Sequence, residues 1–155
     1  MSITGGCQCG VVRYRAERLG RSGICHCRMC QKATGGLFGV FIGTEGFEWT
    51  RGTPSVFRSS NVAERLFCAA CGTPLAFKEN GWAVEIAVGT LDDPVAGAPV
   101  IEVNTEGKVP FFDTITHLPE RPAAELSAHE AKKAGVVSYQ HPDRDTDHWP
   151  PEAEK

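Results

Sequence analysis

Seven cysteines stand in three tight clusters along the chain: Cys7 and Cys9 as a CxC, Cys25, Cys27 and Cys30 as a CxCxxC, and Cys68 and Cys71 as a CxxC. Cysteines used as small hydrophobes would be scattered, and none of these is. The count is odd, and the start MSITGGCQCG has neither the basic residues nor the apolar run of a secretory signal. A cytoplasmic, reducing setting is therefore expected, which argues against a disulfide framework and for metal binding or redox chemistry.

Thiolates that share one ion must converge on it at ~2.3 Å, so they come as close pairs whose short loop aims both sulfurs together. In an extended CxC the two cysteines point the same way and the residue between them points elsewhere. That turns Gln8 and His26 away from the sulfurs beside them. The CxCxxC can present three sulfurs to one ion, whereas each two-cysteine cluster needs a partner. The economical division is four plus three: Cys7, Cys9, Cys68 and Cys71 in one set, Cys25, Cys27 and Cys30 in the other. Four thiolates close a tetrahedron and read as structural, while three leave a position for water or substrate, so function is sought at the triad. His117 or an acidic side chain would close that position if it reached it.

Zinc suits both sets better than an iron–sulfur cluster, for which three thiolates are incomplete. Cys68 and Cys71 lie in FCAACGTPL, where Gly72 suits a metal knuckle, rather than in the strand–helix setting of a redox CxxC. Zinc held by three thiolates carries a formal charge of about −1 and is a weak acid toward water. It is better matched to a substrate sulfur, so chemistry on a thiol or its adduct is expected.

The rest of the chain reads as mainly β. With 155 residues, 41% hydrophobic and 23% charged, it has room for one ordinary folded domain, set at residues 1–138. Short alternating runs occur at Val11–Ala16, Phe38–Ile42, Phe47–Trp49, Ser55–Arg58, Ala63–Phe67, Trp82–Val88 and Val100–Val103. Their spacing predicts curled or sandwich-like antiparallel sheets. Helices are predicted at Met29–Thr34, stopped by Gly35 and Gly36, and at Pro122–Lys133. Residues 139–155 are polar and proline-rich and read as a solvated tail, in which His141 and His148 are weak metal-ligand candidates. The net charge of −3, with no basic block, gives no footprint for nucleic acid, and no apolar run is long enough to span a membrane.

GGCQCGVVRY, CHCRMCQKATGG, FCAACGTPL, VGTLDDP and KVPFFDTITHLP together resemble the glutathione-dependent formaldehyde-activating enzyme family, also described as centromere protein V-like. The resemblance runs from about Gly5 to Pro119. It implies an Mss4-like fold with two zinc ions per chain. Cys7, Cys9, Cys68 and Cys71 would hold a structural ion, and Cys25, Cys27 and Cys30 a catalytic one. It further implies carbon–sulfur lyase chemistry, glutathione and formaldehyde being joined as S-hydroxymethylglutathione. Members often carry Trp where this chain has Phe111, and a His in the segment written here VIEVNTEG.

Arg13, Arg28, Lys32, Arg58 and Arg65 are candidates for pairing with glutathione carboxylates, with Arg28 and Lys32 favoured because they flank the triad. Asp92 and Asp93 read as turn formers, and Trp49 and Trp82 as core or cleft-wall aromatics. The other function classes compatible with the cysteines are a non-enzymatic zinc module for a protein partner and a thiol-based redox sensor.

Overall fold

The computed structural model describes residues 2–150. Ten strands form two sheets: β1 (Ile3–Gly6), β2 (Arg13–Ala16) and β5 (Glu48–Arg51) make a three-stranded sheet in the order β1-β2-β5. The larger sheet runs β10-β3-β4-β9-β8-β7-β6. Its strands are β3 (Arg18–Cys25), β4 (Gly39–Glu45), β6 (Ser55–Arg58), β7 (Ala63–Phe67), β8 (Pro74–Glu79), β9 (Glu85–Ala87) and β10 (Ile101–Val103). The expected mainly β class with few helices is the one observed. All pairings are antiparallel except β10 with β3, where Ile101–Val103 runs parallel to Gly23–Cys25.

The register explains how one sheet serves two purposes. Directly opposed residues on neighbouring strands share a face, and the pairing aligns Ile42, Ile86, Ala76, Leu66 and Val56 on one side. The first four are buried with Val12, just before β2, and Tyr14 of β2, so the main core lies between the two sheets. The alternate positions, Phe41, Glu85, Phe77, Arg65 and Phe57, fall on the opposite face. Cys25 belongs to that second face through its pairing with Gly39.

Helix α1 (Arg28–Thr34) closes over the second face. Cys27 is its N-cap, accepting from the Cys30 amide at 3.4 Å, and Gly35 ends it in the left-handed region at φ 68°. Helix α2 (Ala123–Lys133) buries no residue. Strand β3, the longest, has two glycines and two arginines and none of the alternation that marks a strand, because its neighbours on both sides supply the pairing. The predicted strand Trp82–Val88 shortens to Glu85–Ala87. Trp82 sits in a bend, 75% exposed, outside the core and on the wall of a small cavity with Phe77, Glu79 and Glu85, whereas Trp49 packs on the main core.

Of the segment 139–155 expected as a solvated tail, residues 151–155 lie outside the described residues, and within 139–150 several side chains dock on the first cysteine loop. His141 is 3% exposed and donates its backbone N–H to the Gln8 carbonyl at 2.7 Å, and the Trp149 indole donates to the Cys9 carbonyl at 2.9 Å. Gly10, at φ 74°, lets both rings approach: a Cβ there would lie 2.3 Å from the His141 ring and 2.6 Å from Trp149. Composition misses this because two rings and one carboxylate do the anchoring. Asp145 accepts from the buried Arg13 guanidinium at 2.7 Å, and Asp92 accepts from it at 2.5 Å. His148 is exposed, and neither histidine joins a group of metal-ligating side chains among the described residues.

Burial and the Arg13 and Arg51 charges hold the His141 imidazole below its ordinary range. Protonating it therefore costs more in the folded chain than in the unfolded one. Its contribution to stability is complete above ~6.5, the unfolded value, and is lost as pH falls through the lower folded value. A chain ending at Tyr139 is expected to melt about 2 to 8 °C lower than the full chain at neutral pH, for a loss of roughly 1 to 3 kcal/mol. The gap should narrow as the pH is lowered toward ~5. Equal melting temperatures at neutral pH would show that the docked segment carries no stability.

Candidate metal centres

The sulfurs of Cys7, Cys9, Cys68 and Cys71 all lie within 4.8 Å of one another, and so do those of Cys25, Cys27 and Cys30. The four-plus-three division read from spacing is the division in space. Tetrahedral thiolates at ~2.3 Å from one ion stand about 3.8 Å apart. The measured separations are 3.6 Å for Cys7 to Cys9 and 3.8 Å for Cys9 to Cys68. Both sets can hold a metal ion, and the all-sulfur donors fit zinc. Among the described residues no His, Asp or Glu joins either set. His117 is exposed and outside the triad group.

Two similar backbone loops aim the four sulfurs. After Cys7 the chain turns back with Gly10 N–H on the Cys7 carbonyl at 3.0 Å and Cys7 N–H on Val12 at 2.9 Å. After Cys68 it does so with Gly72 N–H on the Cys68 carbonyl at 2.8 Å and Cys68 N–H on Thr73 at 2.9 Å. Gly72 has φ 76°, a value that L side chains rarely adopt. The Val12 amide donates to the Cys7 sulfur at 3.2 Å, and the Thr73 hydroxyl lies 3.1 Å from that of Cys71. Burial opposes ionisation of Cys71, yet the Thr73 hydroxyl and amide bring it down to about 6, while burial pushes Cys9 up to about 12. Four thiols this close ionise together only when a cation relieves their repulsion.

The triad is built differently. Cys25 ends β3, Cys27 caps α1 and Cys30 lies in its first turn. His26, between them, is fully buried on the other side, with Nε2 3.2 Å from Glu102 and its ring edge-on to Phe112 at 4.8 Å. It is turned away from the sulfurs, as the CxC alternation predicts. The Asn104 amide donates to the Cys25 sulfur at 3.2 Å from a left-handed backbone position, φ 53°. Gln31 ties this loop to α1 by donating to the His26 and Gly107 carbonyls at 2.8 and 3.0 Å.

Arg65 reaches the triad from three strands away. Its Nη2 lies 3.4 Å from the Cys30 sulfur, and its guanidinium stacks over Phe77 at 4.7 Å and Phe41 at 5.6 Å. Its Nε and Nη1 are buried without a hydrogen-bond partner. A cation desolvated in this way needs negative charge beside it, and the triad sulfurs are its neighbours. Burial pushes Cys30 up to about 12 against the opposing pull of Arg65.

Arg65 is one of the cationic candidates read from sequence; of the two favoured there, Lys32 is exposed in the last turn of α1, outside the triad cavity. Arg28 is exposed and bonds Gln31, Arg58 is exposed at the β6–β7 turn, and Arg13 is consumed by Asp92 and Asp145. Asp93 caps a short turn through the Val95 amide, which fits its turn-forming reading. Phe111 is 53% exposed and does not line the triad cavity, whereas the segment VIEVNTEG supplies Asn104 to it. That cavity, of about 400 Å³, is bounded by the three cysteines and by Phe41, Phe77, Arg65, Glu79, Glu85 and Asn104. Burial and the charge of Glu79 hold the Glu85 carboxyl above its ordinary range.

The family model for the glutathione-dependent formaldehyde-activating enzyme matches residues 2–107, which include all seven cysteines and Arg65. The chain belongs to this family. A crystal structure of a Rhodobacter sphaeroides protein superposes with a TM-score of 0.54 at 20% identity, covering 64% of this chain and 99% of that one, and so shares the fold. A search of curated proteins finds no match. No helix among the described residues is long and apolar enough to cross a membrane.

The two clusters should respond differently to loss of one sulfur. Cys71→Ser breaks a set that joins chain segments far apart in sequence, and is expected to cost more than about 3 kcal/mol or to abolish soluble expression. Cys30→Ser is expected to cost about 1 kcal/mol and to lower bound metal by one equivalent per chain. Denaturant melts with elemental analysis check both. Equal destabilisation by the two substitutions would contradict the difference.

Proposed function

We propose that this family member joins a thiol to an aldehyde, and releases them again, at the triad of Cys25, Cys27 and Cys30. Glutathione and formaldehyde, giving S-hydroxymethylglutathione, are the pair that the family's description supports and the reference case for the reaction. The observation that carries the reading is a three-sulfur set facing a cavity, which no fourth ligating side chain joins among the described residues, in contrast to a complete four-sulfur set. On this reading Cys7, Cys9, Cys68 and Cys71 would hold a structural zinc ion and the triad a catalytic one. When bound, the triad ion would offer one open position that favours sulfur over water.

The chain's own residues do the remaining work. Asn104 and Arg65 orient the Cys25 and Cys30 sulfurs, and the Arg65 charge offsets the excess negative charge of three thiolates on a divalent ion. Phe41 and Phe77 make a dry wall on which the reacting carbon sits near the sulfur. In the forward direction a carbon–sulfur bond forms, the carbonyl π pair moves to oxygen, and the thiol proton ends on that oxygen. Glu85, whose carboxyl is held toward its protonated form, lines the same cavity and is placed to carry that proton between sulfur and oxygen.

Because such adducts also form unaided, exchange between free and thiol-bound aldehyde at equilibrium is the informative measurement. Wild type should accelerate it and Cys30→Ser should not. Glu85→Gln should slow it by roughly a hundredfold, with binding of the thiol unchanged. Absence of acceleration with several thiols, and no binding of them to the metal-loaded protein, would favour a non-enzymatic zinc module.

A further inference from the structure

A second cavity, of about 460 Å³, continues from the triad cavity along the same face of the large sheet. Met29, Phe41, Ser59 and Arg65 border both, so the two are adjoining parts of one cleft. The volume is that of a small-molecule site. Its character differs from that of the triad end. The triad cavity carries Glu79 and Glu85, whereas this one is walled chiefly by Met29, Phe41, Phe57 and Phe67 and has no acidic residue; its only charges are Lys32 and Arg65. Met29 and Phe57 are 59% and 63% exposed, two large apolar side chains open to solvent at the edges of one groove.

The geometry follows from the strand register. Phe57 opposes Arg65, Arg65 opposes Phe77, and Phe77 opposes Glu85, so one row of side chains leads across the sheet from the groove to the triad cavity. Arg65 stands at the junction with Nη2 toward Cys30. A substituent on the carbon bonded to a substrate sulfur at the triad has this groove as its apolar exit. Formaldehyde has no such substituent.

We infer that the groove between α1 and β6–β8 binds an apolar arm, aryl or short alkyl, on the aldehyde-derived half of the adduct. The preferred adducts are accordingly those of an apolar aldehyde rather than of formaldehyde. The inference rests on the reading of the triad given above for its chemistry. The positive charge of Lys32 and Arg65, with no acid on the groove walls, excludes a cationic arm.

Two measurements separate the groove from the reaction. The chain has two methionines, Met1 and Met29, so methyl-labelled methionine gives a groove signal with one internal reference. S-benzylglutathione is expected to shift the Met29 signal and S-methylglutathione to leave it in place, and Phe57→Ser, at an exposed site on an edge strand, should abolish the benzyl-dependent shift. In the exchange assay the glutathione adduct of an aryl aldehyde should exceed that of formaldehyde by roughly tenfold or more in kcat/KM, as expected when an apolar pocket is filled. Phe57→Ser, which adds no charge opposite Arg65, should remove this preference while leaving the formaldehyde rate unchanged. A Met29 signal unmoved by S-benzylglutathione overturns the inference, as does an aryl adduct turned over no faster than the formaldehyde adduct. A Met29 shift with no turnover of any adduct supports the groove and overturns the reaction assigned to the triad.

Discussion

The convergence of the Cys7–Cys9 loop with the Cys68–Cys71 loop is the constraint on which the rest of this structure depends. The first loop joins β1 to β2 in the small sheet and the second joins β7 to β8 in the large one, so their four sulfurs pin the two sheets together at one end of the core. Strands of three to eight residues supply little cohesion of their own. The terminal segment is seated on this junction: His141 and Trp149 hold the carbonyls of Gln8 and Cys9, and Asp145 reaches the Arg13–Asp92 pair beside it. Arg13 is thus satisfied from within the chain.

With the sheets held, the large sheet can divide its labour by the period of two. Ile42, Ile86, Ala76 and Leu66 face the core, and their neighbours Phe41, Ala87, Phe77 and Arg65 build the opposite surface, where Cys25 and α1 complete the triad. A guanidinium wedged between two phenyl rings, with Nε and Nη1 unpaired, is costly unless negative charge stands near it. On the proposed reading three thiolates supply that charge. One residue then serves both the triad sulfurs and the entrance to the apolar groove.

Local features of the sequence account for much of this. The cluster spacings carry the four-plus-three division, since a CxC or CxxC aims its own sulfurs; Gly35 and Gly72 mark where α1 ends and the second loop turns; and alternation marks β7. Other features depend on residues distant in sequence. Arg65 is one of five cationic candidates and nothing local singles it out, because its aromatic partners lie on β4 and β8, whereas Arg28 and Lys32 are favoured for standing beside the triad along the chain. Asn104 meets Cys25 through the parallel pairing of β10 with β3, which no local pattern announces. Strand β3 escapes because Gly20 and Gly23 interrupt its pattern, Gly23 sitting close under Ile101, where a Cβ would lie 3.1 Å away. The polar composition of residues 139–155 is genuine, yet a buried histidine, one tryptophan and one aspartate suffice to dock the described part, residues 139–150.

The division into one closed and one open sulfur site is tested most directly by cadmium NMR of the metal-exchanged full chain. Two resonances are expected, both in the thiolate-rich range. Addition of glutathione should move one and leave the other in place, and Cys30→Ser should remove the resonance that moved. A single resonance, or two that respond equally to the thiol, would contradict the division.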